Sequence, residues 1–122
     1  MTALHLACQK NHHDVVMQLI NSNAETNSRD RNWYSPLHVA AATDSIDAAR
    51  IVISRITNIN VADRNGQTAL HLAAANGFLE LVDLLITKNA NIHAMDRGDR
   101  RPIHWVVGMM VIKLLDQFNF IT

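Results

Sequence analysis

Small and apolar residues recur along this chain in one block that is written three times and begun a fourth. The sharpest copy runs Asp63-Arg64-Asn65-Gly66-Gln67-Thr68-Ala69-Leu70-His71-Leu72-Ala73-Ala74-Ala75-Asn76-Gly77. Asp63 to Gly66 is a turn signal, with Gly66 free to take positive φ. Thr68 follows as a hydroxyl residue able to accept from the free N–H groups of a helix start. The short apolar stretch Ala69 to Asn76 predicts a helix that Asn76-Gly77 ends. Leu79, Leu81, Val82, Leu85 and Ile86 then fall at helical spacing and predict a second, more apolar helix. Asn89-Ala90-Asn91 returns the chain to the next aspartate turn. In the copy before, Ser35 takes the cap and Pro36 the first helical position, where a missing N–H is harmless.

The interval between copies is fixed. His5, His38, His71 and His104 stand 33 residues apart, as do Asp30, Asp63 and Asp96, and Leu4, Leu37, Leu70 and Ile103. A period between 20 and 50 residues marks a stacked repeat array. The 122 residues therefore make a single all-α solenoid domain, 1–122, in units of approximately 1–29, 30–62, 63–95 and 96–122. The first unit lacks its leading turn. The fourth is shortened, because His71 to Leu84 spans 13 residues and the equivalent His104 to Leu114 spans 10.

The segment Asp63 to Gly77, together with this period, resembles the ankyrin-repeat consensus, and the likeness extends from Thr2 to about Trp105. The resemblance implies stacked helix-turn-helix units joined by β-turn fingers, and a module that binds other proteins as a scaffold or regulatory subunit. Asp30-Arg31-Asn32-Trp33 and Asp99-Arg100-Arg101-Pro102-Ile103-His104-Trp105 are similar to segments of the ankyrin-repeat regulatory subunits of protein phosphatase 6. That likeness implies a phosphatase complex as one partner. Asn27 and Asn60, with His93 in the equivalent place, match the position where ankyrin-repeat asparagines are hydroxylated. Those residues also suit a local backbone role at the end of the second helix.

Composition narrows the function further. Lys plus Arg and Asp plus Glu are 11 each, so a general polyanion binder, which carries a basic excess, is disfavoured and nucleic acid is not expected. Cys8 is the only cysteine, which excludes an internal disulfide and a Cys-rich zinc module. The longest apolar stretch, Trp105 to Ile112, is too short to span a bilayer. Neither a signal-peptide run nor an Asn-x-Ser/Thr acceptor is present. A cytoplasmic or nuclear chain without membrane contact is the expectation.

Enzyme chemistry finds no foothold. Ser35, His38 and Asp30 are triad residue types, but the next unit repeats them as Thr68, His71 and Asp63 for structural reasons. Stacked helices lie roughly 8–10 Å apart, so the histidine ladder cannot converge on one metal, and it is expected to bond backbone across a turn. Cys8 falls where Ala41 and Ala74 stand and reads as a buried, inert thiol. No catalytic residue, metal or cofactor is expected.

Function is therefore sought where the units differ. Along a stack the turn tips and the exposed side of the short helices form one concave surface. Its candidate binding residues are Arg31, Asn32, Trp33 and Tyr34, then Arg64, Asn65, Gln67 and Asn76, then Arg97 and Arg100. Trp33 replaces a turn glycine, so that tip either adopts another turn or strains its backbone. Six of the eight arginines, Arg29, Arg31, Arg64, Arg97, Arg100 and Arg101, lie in the turn segments. Interleaved with aromatics, they suit an acidic or phosphorylated protein segment, unless Asp30, Asp63, Asp96 and Asp99 pair them internally. Neither end carries a polar cap, and Trp105 to Leu115 is mostly apolar. The isolated chain is thus expected to self-associate, as a segment of a longer array would.

Overall fold

A computed structural model describes residues 1–109. Short helices α1 (Ala3–Gln9), α3 (Pro36–Ala42) and α5 (Ala69–Ala75) alternate with longer ones, α2 (His13–Asn21), α4 (Ile46–Ile53) and α6 (Leu79–Thr87). Residues 102–109 are again helical, and the described residues contain no strand. The expected all-α repeat solenoid is what forms. No helix of the described residues is long and apolar enough to cross a membrane.

Seven-residue helices are marginal in isolation, so their starts are fixed by side chains. The Oγ of Thr2, Ser35 and Thr68 accepts from the backbone N–H of His5, His38 and His71, and each histidine ring bonds back to the cap's own N–H. This is a capping box in which histidine does the work usually given to Glu or Gln. Packing supplies the remainder. Helices α1, α3 and α5 stack in one layer, and α2, α4 and α6 in a second behind it. Cys8, Ala40, Ala41, Ala73 and Ala74 are buried in the first layer, small enough for close approach. Val16, Val52, Leu81 and Leu85 are buried in the second. Leu6 and Val15 are exposed, whereas their equivalents Val39, Leu72, Ala48 and Leu81 are buried.

The turn inside each unit requires a left-handed residue. Asn11 and Asp44 adopt it at φ 55°, and Gly77 at φ 75°. A Cβ built on Gly77 meets nothing within 4 Å, so a substitution there meets backbone strain alone. Gly77→Val should therefore lower stability by about 1–2 kcal/mol, and Gly77→Asn by much less, because Asn tolerates this region. Urea midpoints of the two variants check this, and a Val variant as stable as the parent would contradict it.

The fourth unit departs from the pattern. Arg101 stands where the others carry Thr or Ser, and the helix continues through residue 109 although Lys10, Thr43 and Asn76 end theirs at that place. Val106 is buried and Val107 is 52% exposed. The expected three-residue shortening before Leu114, and most of the apolar run to Leu115, fall outside the described residues.

Candidate functional site

Each finger is organised by its aspartate. Asp30 Oδ1 accepts from the N–H of Asn32 and Tyr34 at 2.8 and 2.9 Å, and Asp63 and Asp96 repeat both bonds in their own turns. Trp33, Gly66 and Asp99 close the three turns with N–H bonds of 3.0–3.1 Å to the carbonyls of Asp30, Asp63 and Asp96. Their φ values are 63°, 75° and 58°, all left-handed. Trp33 thus keeps the turn that glycine would make and carries the strain, the second of the two alternatives. Neighbouring tips are tied together as Arg64 N–H donates to Asn32 O at 3.2 Å and Arg97 N–H to Asn65 O at 3.0 Å.

The histidine ladder joins units as well as capping helices. The backbone N–H of Ser35 donates to His38 Nδ1 at 3.1 Å, which makes Nδ1 an acceptor. Nε2 then carries the proton and donates to Gln67 O at 2.9 Å in the next finger. His5 reaches Tyr34 O in the same way at 2.8 Å, and His71 reaches Arg100 O at 2.9 Å. The spacing had suggested bonds across a turn, and the structure adds the link between units. His104 is the exception: it is exposed, and its ring accepts from Arg101 N–H at a long 3.3 Å. A cap without a hydroxyl cannot complete the box there.

This arrangement needs the neutral ring, since a second ring proton would face the Ser35 N–H. Burial pulls the His38 pKa below its ordinary value of 6.5, against smaller raising effects from the Gln67 carbonyl and Asp63. A histidine with a depressed folded pKa stabilises fully above the unfolded value and loses that contribution as pH falls below it. The urea midpoint should therefore drop as the pH falls below about 6.5, with the His38→Gln variant losing less on the same descent. Asp96 titrates lower. Burial alone would raise its pKa, but the N–H bonds of Arg100 and Gly98 and the Arg100 guanidinium together hold it below 3.8.

Internal pairing, the alternative reading of the finger charges, accounts for little of them among the described residues. Asp30 and Asp63 spend their bonds on their own turns, and of the six finger arginines only Arg100 pairs with a carboxylate among the described residues, at 3.0 Å from Asp96. Arg29 donates to the carbonyls of Trp33 and Ala62 at 2.7 Å each, and its guanidinium lies 5.6 Å from the Trp33 ring centre. Arg64 donates to Arg31 O at 2.7 Å. Trp33 nevertheless remains 55% exposed. With Asp63, Arg64 and Arg97 it lines an open pocket of about 380 Å³ between fingers.

Comparison with protein families matches residues 1–63 to a model of ankyrin repeats in three copies and residues 65–97 to a model of the single ankyrin repeat. The chain belongs to the ankyrin-repeat family. A comparison with curated proteins finds no match. Ankyrin repeats are protein–protein interaction modules, which directs attention to the fingers just described.

Within that ankyrin frame the expected binding residues separate. Trp33, Arg64 and Arg97 share the pocket, and Arg31 occupies the same turn position one finger earlier. Asn32 and Asn65 are exposed, their main-chain carbonyls holding the next tip. Gln67 is half-buried, and its carbonyl is taken by His38. Tyr34 is half-buried and stacks on His38 with ring centres 5.7 Å apart, which makes it part of the packing at the helix start rather than a second free aromatic. Asn76 stands at the far end of α5, its amide donating to Leu72 O at 2.8 Å. Sequence reasoning missed Asp63 as a pocket wall: its Oδ2 is buried without a partner.

The remaining candidates are structural in their contacts. Asn27, Asn60 and His93 are exposed, and their N–H groups donate to the side chains of Glu25, Asn58 and Asn91. Asn60 Oδ1 also accepts from Asn91 N–H at 2.8 Å, a bond between units. Cys8 is fully buried, and burial pushes its thiol up to about 12. Among the described residues no cluster of three His, Cys, Asp or Glu side chains could hold a metal ion.

Proposed function

We propose that this chain binds a partner protein through the finger tips and the exposed side of its short helices, with Trp33 at the centre and no chemistry of its own. The observation that carries this reading is Trp33, an exposed tryptophan at φ 63° where glycine would be unstrained. Strain of this kind persists where the residue has a use, and Trp and Arg are the types enriched at binding hot spots. The finger arginines left without carboxylates favour a partner that carries negative charge. The likeness to phosphatase regulatory subunits names one class of assembly for such a surface, within the cytoplasm or nucleus.

A footprint tests the reading. Hydrogen exchange of the chain, alone and with a partner it retains, should show new protection at 29–34, 63–67 and 96–101. Protection confined to α2, α4 and α6 would refute it. The second reading, hydroxylation, rests on the exposure of Asn27 and Asn60. It requires a mass gain of one oxygen on each after incubation with an asparaginyl hydroxylase, and the Asn60 bond to Asn91 weighs against it.

A further inference from the structure

Arg31, Arg64 and Arg97 hold one position in three successive fingers, and all three side chains are exposed. Successive units lie roughly 8–10 Å apart, so these three positions repeat along the stack with about that spacing, and the Arg64 guanidinium reaches back to the Arg31 carbonyl. A polyproline II segment has three residues per turn and rises about 3.1 Å per residue, which returns a side chain to the same face every 9 Å or so. A β-strand does not fit, because residues three apart point to opposite faces. An α-helix meets the spacing only at every seventh residue and then needs a groove for its apolar face. The large apolar side chains exposed on the finger segments are Trp33 and Met95, in different units, and they make no such groove. Proline-containing segments dock on aromatic side chains, and the exposed Trp33 ring beside the pocket offers one.

We infer that the row Arg31, Arg64 and Arg97 reads an acidic segment in polyproline II conformation, with Asp or Glu at every third residue. One carboxylate enters the pocket lined by Trp33, Asp63, Arg64 and Arg97, and an intervening proline packs on the Trp33 ring. This rests on the proposed use of the fingers for binding. Asp63 sets the charge the pocket takes: its lining holds two arginines, Arg64 and Arg97, and one carboxylate whose buried Oδ2 has no partner. The surplus is a single positive charge, which matches a carboxylate better than a doubly charged phosphate.

The test is fluorescence anisotropy with the 122-residue chain and labelled peptides of about twelve residues. The first repeats Glu-Pro-Ala, and the second has the same residues with its glutamates contiguous. The third is helix-favouring with Glu at every seventh residue, the fourth repeats Gln-Pro-Ala, and an oligothymidylate serves as a further polyanion. The first peptide should bind about tenfold tighter than any other probe, and Arg64→Gln, Arg97→Gln and Trp33→Ala should each weaken it about fivefold or more. Circular dichroism melting confirms that the variants are folded. Equal binding of the first two peptides overturns the inference, yet spares the finger reading if Trp33→Ala still weakens both. Preference for the helical peptide or the oligonucleotide overturns it in favour of that probe. Binding indifferent to Trp33→Ala and to both arginine variants overturns the inference and counts against the finger reading as well. No binding by the first peptide overturns the inference alone.

Discussion

His38→Ala should lower the stability of the fold by about 3–4 kcal/mol, while His104→Ala, at the same ladder position, should change it by less than about 0.5 kcal/mol. His38 is 1% exposed and holds three groups at once: Ser35 N–H, Ser35 Oγ and the Gln67 carbonyl. Alanine removes the volume, which leaves a cavity beside Tyr34, and strips the Ser35 N–H of its acceptor inside the protein. Losing the cap hydroxyl alone, as in Ser35→Ala, should cost only about 1 kcal/mol. Because each unit touches only its neighbours, weakening the joint between the second and third units should also broaden the urea transition. His104 is exposed and its ring accepts a long 3.3 Å bond from Arg101 N–H, so little is lost there. Equal losses at the two positions would mean that the ladder acts through the residue type and not through the link to the next finger.

Much of this architecture was legible because the same physical solution is repeated. Thr2, Ser35 and Thr68 announce helix starts, and the Asn-Gly pair at Asn76-Gly77 announces a left-handed helix end that Asn11 and Asp44 also adopt. Cys8 could be placed in the core from its alanine equivalents. The cross-unit reach of histidine Nε2 was not legible, since it depends on how far the next finger tilts toward the ring. The same limit hid the charge sorting. Counting Asp against Arg leaves pairing open as an alternative, but a carboxylate two residues before free N–H groups bonds backbone first, as Asp30 and Asp63 do. At the fourth unit the pattern misled, because Arg101 cannot give the hydroxyl that makes His104 a buried member of the ladder.

The second large effect is expected at Trp33, where binding and stability should part. Trp33→Ala removes the exposed ring and its 5.6 Å contact with Arg29 but leaves a side chain in the left-handed region. It should weaken partner binding by at least about 2 kcal/mol, close to thirtyfold, and lower stability by roughly 0.5 kcal/mol. Trp33→Gly should lose as much binding. It relieves the backbone, so it should be more stable than the alanine variant by about 1 kcal/mol. A residue kept for local packing would behave otherwise, with both variants destabilised alike and binding falling only as the fold is lost. The arginines around it should act mainly on association rate, with an effect that shrinks as salt is raised.

The most direct measurement is therefore the affinity of Trp33→Gly for a retained partner protein, set beside that of Gln18→Ala on the exposed face of α2. Recognition through the fingers predicts that Trp33→Gly loses about 2 kcal/mol or more of binding while its urea midpoint stays near the parent's, and that Gln18→Ala binds as the parent does. Weakened binding by Gln18→Ala with undiminished binding by Trp33→Gly would contradict it and move recognition to the outer helices.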